Sequence, residues 1–268
     1  MNRHLVNIFT NNEPVSLDAM EYIRHELIER GYTVTSEYSP DACLIICIGG
    51  DGAFLETVHN CDFPSTPILG INTGHLGFFQ EIEVNQIASF MEDFMSGDYT
   101  IQKLTTVKCQ VEGSDGSIYH HEGLNEIAIK GRQSYAVHLD ISIDGILIQK
   151  FSGDGVLCAT AAGSTAYNDS LGGSIVDPRI NLLQLTPIAP MNTIAYRSFT
   201  SSLLLPSDKT ITFVPEERDE RIFIINDGIE TGYRNVSSIQ VTVSDKAIRL
   251  IRFKDYDFWS KVKSKFLL

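Results

Sequence analysis

No apolar run in the chain approaches the roughly eighteen residues that a membrane-spanning helix needs. The first residues, Met1-Asn2-Arg3-His4-Leu5-Val6-Asn7-Ile8-Phe9, lack the long apolar core of a secretion signal and read directly as a strand. A cytoplasmic location is the expectation. Cysteine is scarce: Cys43, Cys47, Cys61, Cys109 and Cys158 form an odd, scattered set and no disulfide framework. Cys43 and Cys47 have C-x3-C spacing, but on a strand they lie too far apart for one metal ion, and buried thiols are expected. Basic residues are outnumbered, 21 Lys and Arg against 34 Asp and Glu, for a formal charge of −13. Nucleic-acid binders usually show a basic face, so neither nucleic acid nor membrane is an expected partner. Phosphates on any ligand would be repelled by the overall field. Backbone N–H groups, local basic side chains or divalent metal must then meet them. Also absent are H-E-x-x-H, a catalytic G-x-S-x-G and the Walker G-x-x-x-x-G-K-[ST], which sets aside serine hydrolases and P-loop NTPases.

What is present is organised around Cys43-Leu44-Ile45-Ile46-Cys47-Ile48-Gly49-Gly50-Asp51-Gly52. The apolar run has no polar alternation, which suits a strand buried on both faces of a parallel sheet. It ends in three glycines around one aspartate, and a helix can begin at Ala53. Such a loop, at a strand's carboxyl end, lies where open α/β sheets place their ligands. Glycine lets a ligand approach the main chain, N–H groups offer themselves to phosphate oxygens, and Asp51 is the loop's ionisable side chain. The same residues also suit a tight turn with a solvated Asp.

Up to about residue 100, strands alternate with helices, as in a Rossmann-like α/β unit. Strands are expected at 5–10, 33–35 and 67–72. A helix capped by Ser16 should bury Leu17, Met20, Ile23 and Leu27 and stop at Gly31. A second helix, opened by Asn85, should bury Ile87, Phe90, Met91 and Phe94 and close at Gly97. A second glycine-rich loop, Thr73-Gly74-His75-Leu76-Gly77-Phe78, follows the strand at 67–72, with His75 a candidate cleft residue. Beyond Gly97 short strands dominate, at 107–112, 118–121, 127–130, 139–143, 146–151, 203–205, 210–214, 222–225, 239–243 and 248–253. Asp144-Gly145 is a hairpin signal, and a sandwich of antiparallel sheets is the expected architecture. One helix is expected near 163–171, and Thr186-Pro187-Ile188-Ala189-Pro190 reads as a rigid turn. In the tail, Phe258, Trp259, Val262 and Phe266 recur at helical spacing with Lys261, Lys263 and Lys265 between, so the tail should pack back on the body.

Three more clusters can carry chemistry. Asn125-Glu126 pairs an amide with a carboxylate, which can hold two neighbouring ribose hydroxyls; taken alone it is also a hydrated turn pair. Gly153-Asp154-Gly155 again sets an Asp between glycines. Gly163-Ser164-Thr165-Ala166-Tyr167-Asn168-Asp169-Ser170 offers small hydroxyls and an aromatic ring, as a nucleotide-binding loop would, or as a capped helix start with a buried tyrosine would.

Taken in order, these motifs, with Asn72 to Phe78, Thr186-Pro187-Ile188 and Asp227-Gly228, resemble the NAD kinase family over most of the chain. The GGDG loop alone is shared with lipid kinases and phosphofructokinases, but the G-T-G-N-D element of lipid kinases is missing. The resemblance implies an α/β domain at 1–100, a β-rich NAD-binding domain at 101–254, and a segment at 255–268 returning to the first. It implies transfer of the ATP γ-phosphoryl group, or one from polyphosphate, to the 2′-hydroxyl of the adenosine ribose of NAD. Mg²⁺ or another divalent ion would arrive with the substrate, and a homo-oligomer, with a tetramer favoured, would be the working form. Carried over, Asp51 is the general base, and Gly49, Gly50 and Gly52 form the phosphate loop. Contact with NAD falls to Asp51, Gly52, Phe78, Asn125, Glu126, Ser152, Asp154 (at a subunit boundary), Ala162, Thr165, Ala166, Tyr167, Asn168, Asp169, Ser170, Ala189 and Gly228. Two positions depart from the family: Ala162 lacks a usual side-chain hydroxyl, and Ser152 replaces a frequent Lys or Arg.

Overall fold

A computed structural model describes residues 2–74, 77–216 and 221–267. The chain forms two compact units, Met1–Lys103 with Ala247–Leu268, and Leu104–Lys246.

The first unit is α/β. Its elements are β1 (Asn2–Thr10), α1 (Pro14–Glu29), β2 (Thr33–Thr35), β3 (Ala42–Ile48), α2 (Asp51–Asn60), β4 (Ile68–Asn72), β5 (Gln80–Glu83) and α3 (Ile87–Ser96). The strands β4-β3-β1-β2 lie side by side and parallel, β5 pairs β4, and Leu250 of the last long strand pairs Ile68 in parallel. From Leu44 to Ile48 every side chain is buried, as the unbroken apolar run demands of a central parallel strand. Ala19, Ile23 and Leu27 of α1 and Ile87, Phe90 and Met91 of α3 pack into one core with β1, β3 and β4. Each such large side chain contributes about 1.5–3 kcal/mol on burial. Gly31 and Gly97 adopt φ of 83° and 77° just past α1 and α3, the left-handed exits expected of them. Ser16 is not the cap. Pro14 takes the first helical position after Glu13, and Ser16, buried in the first turn, hydrogen-bonds Thr73 Oγ1 through its own Oγ at 2.6 Å. Leu17 is exposed rather than buried. Nor does Asn85 open α3: it lies in a 3₁₀ turn, Val84–Gln86, capped by reciprocal contacts of Glu83 and Gln86. The C-terminal helix, Phe258–Phe266, belongs to this unit and buries Phe258 and Val262.

The second unit is antiparallel β. It holds most of β6 (Thr100–Gly113), then β7 (Ile118–Gly123), β8 (Glu126–Lys130), β9 (Val137–Ile143), β10 (Ile146–Gly153), β11 (Gly155–Ala159), β12 (Leu182–Ile188), β13 (Leu203–Pro206), β14 (Ile211–Pro215), β15 (Ile222–Asn226), β16 (Ile229–Tyr233) and much of β17 (Val236–Arg252). One sheet runs β13-β12-β11-β8-β15-β16. A second ladder runs β10-β9-β14-β17, and β6 pairs β17 and β7. Val107, Ile127, Leu139, Cys158, Leu185, Phe213 and Val241, drawn from both sheets, share one core. Asp144 and Gly145 take φ of 47° and 81°, the turn that Asp-Gly favours between β9 and β10. The segment at 186–188 is strand rather than turn, the strands expected at 239–243 and 248–253 are one, and the helix near 163–171 is broken. It divides into a 3₁₀ turn, Ala162–Thr165, and a single helical turn, Tyr167–Ser170, at Ala166.

Candidate functional site

In the first unit, β3 and α2 are joined by Gly49 and Gly50 alone, so Asp51 and Gly52 sit in the first helical turn rather than before it. That turn's N–H groups have no intrahelical acceptor and form the positive end of the helix. A side chain at Gly49 would put its Cβ 2.7 Å from that of Ala53, whereas Gly50 and Gly52 face open space. The turn therefore offers its backbone to a ligand.

The Asp51 carboxylate is held from three sides. Oδ2 accepts the Phe78 N–H at 3.1 Å, Oδ1 accepts the Phe79 N–H at 3.1 Å, and Lys265 Nζ of the C-terminal helix lies 3.2 Å from Oδ2. These bonds fix its orientation. Gly77 permits this approach, because a Cβ there would lie 2.3 Å from Asp51 Oδ1 and 2.0 Å from Gln80 Oε1. The Phe78 ring packs against Phe258 and Phe266, with centroids at 5.8 and 6.1 Å, and Lys265 Nζ sits 4.9 Å from its centre. Lys261 donates to the Gln80 carbonyl; burial, and then the nearby Arg252 charge, brings its amine down to about 8. Arg252 is buried but satisfied, by Glu81 at 2.8 Å, Gln102 at 2.8 Å and the Phe78 carbonyl at 3.1 Å. His75 and Leu76 lie outside the described residues.

In the second unit, Asn125 lies just before β8 and Glu126 opens it, and both are buried. Asp227, at the β15–β16 turn, accepts the N–H groups of Leu124, Asn125 and Glu126 at 2.6, 2.8 and 3.1 Å. Burial, reinforced by the Asp227 charge, pushes the Glu126 carboxyl up to about 8. Glu126 Oε2 and Asn125 Oδ1 are buried without a hydrogen-bond partner, the condition of groups whose partner is a ligand or water. The hydroxyl-rich loop is anchored to this pair: Thr160 donates N–H to the Asn125 carbonyl at 2.9 Å and Oγ1–H to that of Leu124 at 2.7 Å. At Gly163 a Cβ would lie 2.1 Å from the Asn125 carbonyl oxygen.

The loop residues fall into two groups. Ser164 and Asn168 are fully buried: Ser164 Oγ accepts from the Val176 N–H, and Asn168 donates to the Ser164 and Ser174 carbonyls and accepts from Thr186 at 2.7 Å. They hold the loop together. Ala162, Thr165, Ala166 and Asp169 are half-buried, and Tyr167 and Ser170 are exposed, so Tyr167 is not the buried tyrosine of a capped helix start. Ser152 is buried with Oγ 3.9 Å from Met191 Sδ, while Asp154, Ala189 and Gly228 are exposed. Gln80, Lys261 and Lys265 are the site-lining residues the motifs did not single out. The alternating lysines of the tail were their only trace. Among the described residues no three His, Cys, Asp or Glu side chains gather as a metal site. No helix there is long and apolar enough to cross a membrane.

Profiles of the ATP-NAD kinase N-terminal and C-terminal domains match residues 8–99 and 124–253. An NAD kinase of Finegoldia magna is 37% identical over 271 residues, with 99% of each chain covered. An NAD kinase of Staphylococcus carnosus is 33% identical over 228 residues, with 84% of each covered. Among solved structures, yeast NADH kinase complexed with NADH superimposes with a TM-score of 0.85 at 22% identity, covering 99% of this chain and 87% of its own. An Archaeoglobus fulgidus NAD kinase in complex with ATP gives 0.75 at 21% identity, covering 97% and 99%. Those two likenesses speak for the fold, and the sequence matches go further: the chain belongs to the NAD kinase family.

Proposed function

We propose that the protein phosphorylates NAD to NADP, taking the γ-phosphoryl group of ATP, supplied with its divalent ion, onto the 2′-hydroxyl of the adenosine ribose. The observation that carries this reading is the Asp51 carboxylate, oriented by two backbone N–H groups beside an open glycine turn. A sugar hydroxyl is far more basic than a carboxylate, so Asp51 orients the nucleophile and takes its proton late, as the loose transition state forms. The open turn at Gly50 and Gly52, with Lys265, supplies the local positive field that an acidic chain otherwise denies to phosphates. Asn125 and Glu126, with their unpartnered oxygens, are read as ribose contacts; a Glu126 that is still protonated near neutral pH offers an O–H without adding negative charge. Ala162, Thr165, Ala166, Tyr167, Asp169 and Ser170 line the dinucleotide in this reading, with Asn168 holding their loop. Ser152, Asp154, Ala189 and Gly228 complete it.

The same reading takes the parallel order β2-β1-β3-β4 as Rossmann-like, the location as cytoplasmic, and the working form as a homo-oligomer, favouring a tetramer. Polyphosphate is a second candidate donor. The deciding experiment incubates purified protein with NAD, ATP and Mg²⁺ and then measures NADP with a strictly NADP-dependent dehydrogenase. Accumulation over many turnovers is expected; binding of NAD with no product would leave only a nucleotide sensor.

A further inference from the structure

Gln80 opens β5 and is 1% exposed, yet neither Oε1 nor Nε2 of its amide has a hydrogen-bond partner. Its backbone is fixed. It pairs with Gly70 of β4, where a Cβ would lie 2.9 Å from Gln80 Cα, and its carbonyl accepts from Lys261. The backbone is thus held in place, and the direction its buried side chain takes is informative. A Cβ built on Gly77 would meet Gln80 Oε1 at 2.0 Å and Asp51 Oδ1 at 2.3 Å, so the amide and the carboxylate turn into the same space over Gly77. Half a turn about the last bond exchanges the ends of an amide, so Gln80 presents either an acceptor or two N–H donors there. A buried amide left unpaired costs stability, and a fold retains one where a ligand completes it.

We infer that Gln80 is a further substrate-contacting residue of the transfer site: its amide donates to the oxygen of the acceptor hydroxyl whose proton Asp51 receives. The inference rests on the NAD kinase reading above. Asp51 alone constrains the hydroxyl's hydrogen and leaves the oxygen's lone pairs free to rotate away from the phosphoryl group. An N–H donor on the Oδ1 side closes that freedom. The charged groups facing Asp51 are Lys265 and Lys261 from the C-terminal helix, with Arg252 and Glu81 paired to each other beyond them. A neutral amide adds position here without altering that balance.

Two substitutions test it in the intact protein. Gln80→Met keeps the volume and removes the hydrogen bonds. Its unliganded melting temperature should stay level or rise, while kcat for NADP formation falls about ten- to hundredfold and the KM for ATP holds. Gln80→Glu places a carboxylate beside Asp51, so the acid limb of the kcat–pH profile should move upward by about one unit. A Gln80→Met protein that melts lower but keeps wild-type turnover would show a packing or water-binding amide and overturn the inference alone. Wild-type protein that makes no NADP would overturn the reaction reading and this inference with it.

Discussion

At the level of single residues, Asp51 and Glu126 show how two carboxyls of one chain are set to different tasks. Asp51 accepts two N–H bonds and an ammonium, and Asp51→Asn keeps the shape while removing proton acceptance. NAD affinity should stay near the wild-type value in calorimetry, while kcat in the dehydrogenase-coupled assay falls about 10²–10⁴-fold. Near wild-type turnover would take Asp51 out of the base role. Glu126 is pushed up to about 8 by burial and then by Asp227. Between the ordinary Glu value, about 4.5, and about 8, the folded protein therefore holds a proton that the unfolded chain releases. Stability should fall as pH rises through that window, by about 1.4 kcal/mol per pH unit at the steepest. Urea denaturation from pH 5 to 8.5 should show that slope in the wild type and a flatter one in Glu126→Gln. Asp51 and the Asn125-Glu126 pair were legible because each stands in a local motif. Gln80 and Lys265 were not: Gln80 lies two residues past the motif that ends at Phe78, and the tail lysines show a helical face but not that folding brings it to Asp51.

For whole elements, the same division between local and distant information decides what the sequence reveals. α3 has strong helical spacing and an exit glycine, and the β9–β10 hairpin has Asp-Gly; both were plain. β11 was hidden because Gly155–Ala159 is buried throughout and offers no alternation to read. β12 carries Pro187, which ordinarily argues against an interior strand. The register explains the exception: β13 pairs only with Leu182 to Leu185, so Pro187 lies beyond it and bonds on the β11 side alone. β16 follows Asp227-Gly228, with φ of 48° and 90°, the turn that Asp-Gly favours in a hairpin. The broken helix at Ala162–Ser170 owes its form to its anchor on β8, and that anchor can be probed. Gly163→Ala would drive a methyl against the Asn125 backbone, whose O, C and Cα all lie within 2.7 Å of it, so β8 or the loop must move. A loss of about 3 kcal/mol in urea denaturation is expected, the upper end of overpacking costs, with NAD affinity reduced because Asn125 and Glu126 shift together. An alanine variant as stable as wild type would mean the loop gives way freely.

Across the whole molecule, charge and exposed surface bear on how many copies work together. A formal charge of −13 keeps copies apart unless something specific joins them. β10 ends its ladder as an edge strand, and Ile146, Leu147 and Ile148 at its start are 68%, 54% and 39% exposed, with Lys150 the charge further along it. The strand runs on to Gly153, next to the exposed Asp154, so a copy docked along it would reach a residue proposed to lie near the nucleotide at a subunit boundary. For the tetramer proposed above, light scattering after gel filtration should give the wild type a mass near four times the 29.8 kDa chain. Leu147→Glu, which puts a charge on that edge without touching a core side chain, should lower the mass by at least half while leaving the far-ultraviolet circular dichroism unchanged. If the shared boundary completes the site, NADP formation per chain should drop in step with dissociation, both in the variant and on dilution of the wild type. A monomeric wild type with full activity would refute the oligomeric form outright, whereas a dissociated variant with full activity would confine the error to the role of Asp154.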